Sequence, residues 1–262
     1  MLEFYQIVMD IEINEKEFSQ RSFQQFMDLF VVPEIKLRQE NDSLEKSFNL
    51  LAAQIIFFPD GRKPGVRLNA EVKAISEVIL KDGQTRSPGD IVPLNDVVGI
   101  EKIKLIDEDD PDCGHVTFLK LNESWHFTFD FRYNKSLSDS HSKAANEFYE
   151  AAETAYSKEH WAAFIDNLFS ACELAARSVL LSIPDPKFRE KATHSSVHNR
   201  YNRSASIGNY QPERRETYNT LYGLRKKARY FKGDYSVTNE EAKDLLNGVK
   251  EMIEYALLRS RT

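Results

Sequence analysis

Apolar residues recur at every second position through much of the chain up to residue 131, and at every third or fourth position from residue 144 onward. Because side chains alternate across a strand but return to one face of a helix only after three or four residues, the two stretches cannot share one element type. The chain is therefore expected to be α+β: a mostly antiparallel β domain with one packed helix over residues 1–135, and an antiparallel helical bundle over residues 136–262. Residues 136–142, small and polar, read as the linker between them.

In the first half, Tyr5, Ile7, Met9, Ile11 and Ile13 predict a strand with one buried face. Phe18, Phe23, Phe26, Met27 and Phe30 then follow helical spacing up to Pro33, so one amphipathic helix is expected, with its phenylalanines in the core. A short apolar run over 50–58 closes at Pro59-Asp60-Gly61. Residues 66–80 read as one long alternating strand, and 97–106 as another. Residues 115–121 and 125–131 flank Asn122-Glu123-Ser124 as a hairpin, with Trp125, Phe127, Phe129 and Phe131 on one face.

In the second half, Ala144, Phe148, Ala151, Ala152 and Ala155 predict one helix face. Trp161, Phe164, Ile165, Leu168, Phe169, Cys172, Ala175, Ala176 and Val179 predict a longer one, ended by Pro184-Asp185-Pro186. A polar stretch over 192–211 admits a short helix around Val197 and Tyr201. Helices over about 213–231 and 242–257 complete four antiparallel helices.

Charge divides with the pattern. Residues 1–135 carry 16 basic and 24 acidic side chains, a balance of -8; residues 136–262 carry 19 and 17, or +2, giving the chain total of -6. The acidic total hides a basic region: residues 187–232 hold twelve Lys/Arg against three Asp/Glu, interleaved with Tyr201, Tyr210, Tyr218, Tyr222, Tyr230 and Phe231. Such a mixture suits RNA or a nucleotide, phosphates on the cations and bases on the rings. Two cysteines in unrelated contexts offer neither a disulfide framework nor a thiolate metal motif, so a cytoplasmic protein is expected. The N-terminus lacks the pattern of a signal peptide, and no apolar run is long enough for a membrane span.

Within the basic region, Tyr218, Leu221, Arg225 and Ala228 share one helix face. An arginine on an apolar stripe keeps its charge and needs a carboxylate partner or a cleft. Glu173, on an edge of the second long helix, is the expected partner.

The residues Asn167-Leu168-Phe169-Ser170-Ala171-Cys172-Glu173-Leu174-Ala175-Ala176 and Arg225-Lys226-Lys227-Ala228-Arg229-Tyr230, with the helix order around them, resemble the HEPN superfamily. Members commonly pair an acidic or polar residue in the second helix with an arginine followed four to six residues later by histidine. Those with both are often dimeric, metal-independent ribonucleases of toxin–antitoxin and phage-defence systems. The resemblance implies that Glu173 holds the acidic position and Arg225 the arginine position. Tyr230 stands where histidine is usual, and no histidine follows Arg225. A phenol titrates far above neutrality and poorly replaces a group that exchanges protons there. What the resemblance and the charge together imply is an RNA- or nucleotide-binding module without ribonuclease activity, in a bacterial defence or stress setting, with Glu173, Arg225, Arg229, Tyr230, Lys232 and His194 at the ligand.

The alternative is a regulatory protein that forms a homodimer through the bundle and recruits a protein partner through its acidic β domain. A third reading, an active ribonuclease, needs a substitute base, for which His194 is the candidate. No cofactor is implied. His194 and His198, four apart, lack a third metal ligand and read as unpaired surface histidines. Residues 107–112 lack the ligand spacing of a calcium loop and read as a solvated turn. His126, Asp130 and Arg132 read as a polar outer sheet face, and Ser170 lacks a nucleophile elbow.

Overall fold

The computed structural model describes residues 15–87, 89–90, 92–93, 96–106, 108–109, 112–121, 123–183, 185, 192–231 and 233–261. The strand expected over residues 5–13 lies outside the described residues. The elements are α1 (Glu15–Phe26), a π turn (Met27–Val31), α2 (Val32–Glu40), β1 (Ala52–Phe57), β2 (Gly65–Leu68), a 3-10 turn (Asn69–Glu71), β3 (Ala74–Leu80), β4 (Val97–Leu105), β5 (Gly114–Leu121) and β6 (Ser124–Asp130). There follow α3 (Lys135–Ser157), α4 (Trp161–Leu181), α5 (His194–Ser206), α6 (Pro212–Tyr230) and α7 (Asn239–Arg261). Strands β2, β1, β5 and β6 form one antiparallel sheet in that order, and β3 pairs with β4 in a second. An α+β fold with a helical C-terminal bundle is thus what the chain adopts.

Two compact units divide the chain. The first takes the described residues up to Ile55 with Gly65–Ile103 and Val116–Phe129; the second takes Ile56–Pro64, Lys104–His115 and the described residues from Asp130 on.

In the first unit Phe23 and Phe26 of α1 lie against Phe118, and Phe23 also meets Trp125 and Phe127. The expected helix thus packs on the sheet, with two corrections. Phe18 is 54% exposed, because it lies a turn and a half before Phe23, and Val31 is the fully buried residue of this region. The helix also continues past Pro33. The wider π turn over Met27–Val31 precedes it, and Pro33 falls in the first turn of α2, where a missing N–H costs nothing. A third correction concerns 66–80, which breaks into β2 and β3. Asn69 adopts φ 47° and its Oδ1 accepts from the backbone of Leu51 and Ala52 at 2.8 and 3.1 Å, while Glu71 accepts from Leu68 N at 3.0 Å. A side chain bonded to backbone competes with the strand ladder, and the period-2 pattern runs through it unchanged.

In the second unit α3 begins directly after Asn134, whose Nδ2 donates to Leu181 O at 3.0 Å. Residues 136–142 are therefore helix rather than linker. Ser138 and Ser142 are buried, and both meet Ser178 Oγ of α4 at 2.7 Å. Polar residues that satisfy one another inside an interface are indistinguishable from a solvated linker by composition. The buried face of α3 is accordingly Ser138, Ser142, Ala145, Tyr149, Ala152 and Ala155, while Phe148 is 41% exposed. Helix α4 is the centre of the bundle: Phe164, Ile165, Leu168, Phe169, Cys172, Ala175, Ala176 and Val179 are all buried as expected. Burying each larger side chain stabilises the fold by about 1.5–3 kcal/mol. Helices α3, α5, α6 and α7 surround it, α5 contributing Val197 and Tyr201.

Candidate ligand-binding site on the helical bundle

Three carboxylate or ring positions of α4, Asp166, Phe169 and Glu173, follow one another at helical spacing and face α5 and α6. Arg225 Nε donates to Asp166 Oδ1 at 3.1 Å, and Arg229 Nη1 lies 3.5 Å from the same oxygen. The Arg225 guanidinium also sits 4.5 Å from the centre of the Phe169 ring, a cation–π contact. The stripe of Tyr218, Leu221, Arg225 and Ala228 is as expected, with Tyr218, Leu221 and Ala228 buried and the Arg225 side chain 18% exposed.

The expected partner of Arg225 is overturned. Helices α4 and α6 run antiparallel: Asp166 meets Arg225 and Arg229, Phe169 meets Tyr222 and Tyr218, and Glu173 is level with Tyr218. Glu173 therefore sits about two turns from Arg225. Its carboxylate instead faces His194 Nδ1, at 2.7 and 2.6 Å from its two oxygens.

Helix α5 owes its position to Thr193, whose Oγ1 accepts from Ser196 N at 3.2 Å as an N-cap. The cap places His194 in the first turn and His198 one turn on. His198 stacks on Tyr222 at 3.9 Å between ring centres and 13° between planes, and its Nε2 lies 2.7 Å from Asn219 Oδ1. Asn202 Nδ2 donates to the same oxygen at 2.9 Å, and Arg215 Nε donates to Asn202 Oδ1 at 2.9 Å. The histidines are thus partnered, not free on the surface. A carboxylate at His194 Nδ1 assigns a proton to that nitrogen, whereas His198 Nε2 faces both the Asn219 amide oxygen and, at 3.1 Å, the Asn202 amide nitrogen.

Beyond this network the face of α6 turns cationic. Lys226 Nζ lies 4.7 Å from the Tyr222 ring centre, and Lys226, Lys227, Arg229, Tyr230 and Phe231 are exposed, the two rings by 64% and 76%. Lys232 lies outside the described residues. The other tyrosines of the basic region are not stacking platforms: Tyr201, Tyr210 and Tyr218 are buried, Tyr201 and Tyr210 stacked on each other at 4.7 Å. Burial pushes the Tyr210 hydroxyl up to about 12, helped by Tyr255. Burial likewise raises Tyr218, with Cys172 and Glu173 adding to the shift, and its hydroxyl has no hydrogen-bond partner among the described residues.

The structure thus brings Glu173 to His194 and Arg225 to Arg229, with Phe169 touching both pairs' helices, and leaves Tyr230 outside these contacts. Sequence reasoning does not reach Asp166 or Asn219, and it names His198, Tyr222 and Lys226 without placing them at the site. Asn219, Tyr222 and Lys226 recur at three- and four-residue spacing on α6, a signal that polar residues give only once the face is known. Among the described residues, no group of three or more His, Cys, Asp or Glu could hold a metal ion, and no helix is long and apolar enough to cross a membrane.

A helical bundle, five helices among the described residues, with a central apolar helix and a polar face of arginine, histidine and carboxylate is the class that fold and face define. Residues 139–259 match the family model of the HEPN domain, which bears out the resemblance carried by α4 and α6. No curated protein and no solved structure matches the chain.

Proposed function

We propose that the helical half is an RNA-binding module that holds phosphates along α6 and does not cleave. The observation that carries this reading is the exposed run of Lys226, Lys227, Arg229, Tyr230 and Phe231, in which cations outnumber their carboxylate partners and two exposed rings lie beside them. Asp166 is the carboxylate that answers both Arg225 and Arg229 there. Lys226 and Arg229 are three residues apart, about five-sixths of a turn, so both cations stand on one face and can contact the phosphates of one strand. Absence of cleavage follows from Tyr230 at the position where the superfamily pattern has histidine.

The test is binding of single-stranded RNA to the full chain over a salt series. Lys226→Ala with Arg229→Ala should weaken binding and lower the slope of log K against log salt by about 1.4, two phosphate contacts at about 0.7 each. Unchanged affinity and slope would remove the reading in favour of a protein interface on this face, and with it pairing of two copies through the bundle. A second reading, metal-independent ribonuclease activity, has one observation in its favour: His194, oriented at Nδ1 by Glu173, lies 6.2 Å between ring centres from Phe169, the ring that also carries Arg225. RNA cleavage in chelator that is lost in His194→Ala would establish it.

A further inference from the structure

The loop that follows α6 encloses an open-mouthed cavity of about 200 Å³ against the start of α4, lined by Trp161, Gly233, Asp234, Tyr235, Ser236 and Val237. None of the hydrogen bonds or ion pairs described above reaches it. Helix α6 stops where Phe231 takes up φ 51° and its N–H closes on Lys227 O, and Gly233, at φ 93°, is the first of the residues 233–237 that line the cavity. Three features fix the chemistry of this cavity. Its walls are aromatic and apolar: Trp161 is half-buried, held edge to face by Tyr156 and Phe164, and Tyr235 meets the exposed Phe231 ring at 6.3 Å. Its charged member is a carboxylate, beside the Ser236 hydroxyl. Asp234 Oδ1 accepts from Ser236 N at 2.8 Å and from Ser236 Oγ; these bonds, the hydroxyl's first, with the charge of Lys227 adding to them, hold the carboxyl below the usual carboxylate range, and Oδ2 accepts no hydrogen bond among the described residues. Its neighbours are the cations: Trp161 is five residues before Asp166 on α4, and Asp166 holds Arg225 and Arg229.

The exposed Asp234 carboxylate at the edge of this open cavity disfavours phosphate there, so the cavity is not a further phosphate site. Flat walls with one acceptor suit a planar group that presents N–H donors. Of the RNA bases, guanine places an imino and an amino N–H side by side on its pairing edge, whereas uracil sets its single imino N–H between two carbonyls that a carboxylate repels. We propose that the cavity between Trp161 and Asp234 takes an unpaired guanine base of a strand whose phosphates lie on α6. The proposal rests on the RNA-binding reading and names the substrate class of that surface: single-stranded, guanine-containing RNA.

Trp161 reports directly. In a Trp125→Phe background it is the sole tryptophan of the chain, so its emission is read while a short oligouridylate with one central guanosine is added. The all-uridine strand, the same strand with an abasic site in place of guanosine, and the guanosine strand in a duplex serve as comparisons. Affinity is followed separately by anisotropy of a labelled strand. The guanosine strand should quench Trp161 and bind at least about fivefold tighter than the abasic or all-uridine strand, the lower end of what base stacking on an aromatic ring supplies. Asp234→Asn, which keeps the acceptor for Ser236 and turns the free oxygen into a donor, should abolish that ratio while leaving the salt dependence intact. Equal affinity and equal quenching for all single strands, or a duplex that quenches as well as the guanosine strand, would overturn the cavity assignment and leave phosphate binding by α6 standing. Absence of binding by every strand would overturn both.

Discussion

Removing Asp166 tests whether the cation-rich face is organised by this carboxylate or by Glu173. In Asp166→Ala, Arg225 keeps its place over Phe169 but loses its partner, as does the more exposed Arg229. Exposed ion pairs are worth about 0.2–1 kcal/mol, and breaking a fully buried pair costs about 3–5 kcal/mol. With the Arg225 side chain 18% exposed and Asp166 37%, screening removes much of the buried limit, and the surviving cation–π contact offsets part of the remainder. The coupling between Asp166 and Arg225 should therefore be about 1–2 kcal/mol. It is measured by a double-mutant cycle of Asp166→Ala and Arg225→Met, the methionine preserving packing against Phe169, with urea unfolding followed by helical circular dichroism. Asp166→Ala alone should lower Tm by about 2–6 °C in a chain of this size. The parallel cycle of Glu173→Gln with Arg225→Met should give coupling below about 0.5 kcal/mol, the additivity expected of residues without contact. A larger coupling to Glu173 than to Asp166 would refute the register on which the whole site description depends.

Asp130 offers a pH-dependent prediction. Burial would raise its pKa, but hydrogen bonds from the Arg132 side chain and backbone and from Lys135 outweigh burial and hold it well below the carboxylate range. A depressed folded-state pKa stabilises above the unfolded value and is lost as pH falls toward the folded one, so Asp130→Asn should be destabilised by about 2–3 kcal/mol at neutral pH. That deficit should shrink below about pH 4, as seen by denaturation at several pH values. Gly248 of α7 abuts Thr217 of α6, where an added Cβ would collide with Oγ1 and press on Cγ2 at 3.0 Å. Gly248→Ala should cost about 0.5–2 kcal/mol despite the better helix propensity of alanine, and Thr217→Ala should relieve most of it; a stabilised single variant would contradict the close approach of the two helices.

Legibility in the sequence followed the kind of information each element carries. The buried face of α4 could be read residue by residue, because an apolar stripe of more than five turns admits one phase of the helix. The face of α3 could not. Its first two buried positions are Ser138 and Ser142, and without them the apolar pattern runs through Phe148, one residue out of phase with Tyr149. Strand patterning found β1, β4, β5 and β6, yet passed straight through Asn69, since alternation persists across a side-chain-bonded turn that reverses nothing in hydropathy.

The site shows the same boundary more sharply. Periodicity places Arg225 on the buried stripe of α6 and Glu173 beside α4's apolar core, and both placements hold. It specifies the angle of a side chain about its helix, however, and not its height against a neighbouring helix. Asp166 and Glu173 are seven residues apart, about 10 Å of axial rise, and so present nearly the same angle to α6. Which of them reaches Arg225 is decided by the antiparallel register, and that register is set by Phe169 packing against Tyr218 and Tyr222. Shifting it by two turns would bring Glu173 to Arg225 at the cost of unstacking Phe169 from those rings and stripping His194 of its carboxylate. A sequence match that carries an acidic position onto Glu173 therefore identifies the correct helix face, while the aromatic packing decides that Asp166 answers the arginines and leaves Glu173 to orient a histidine.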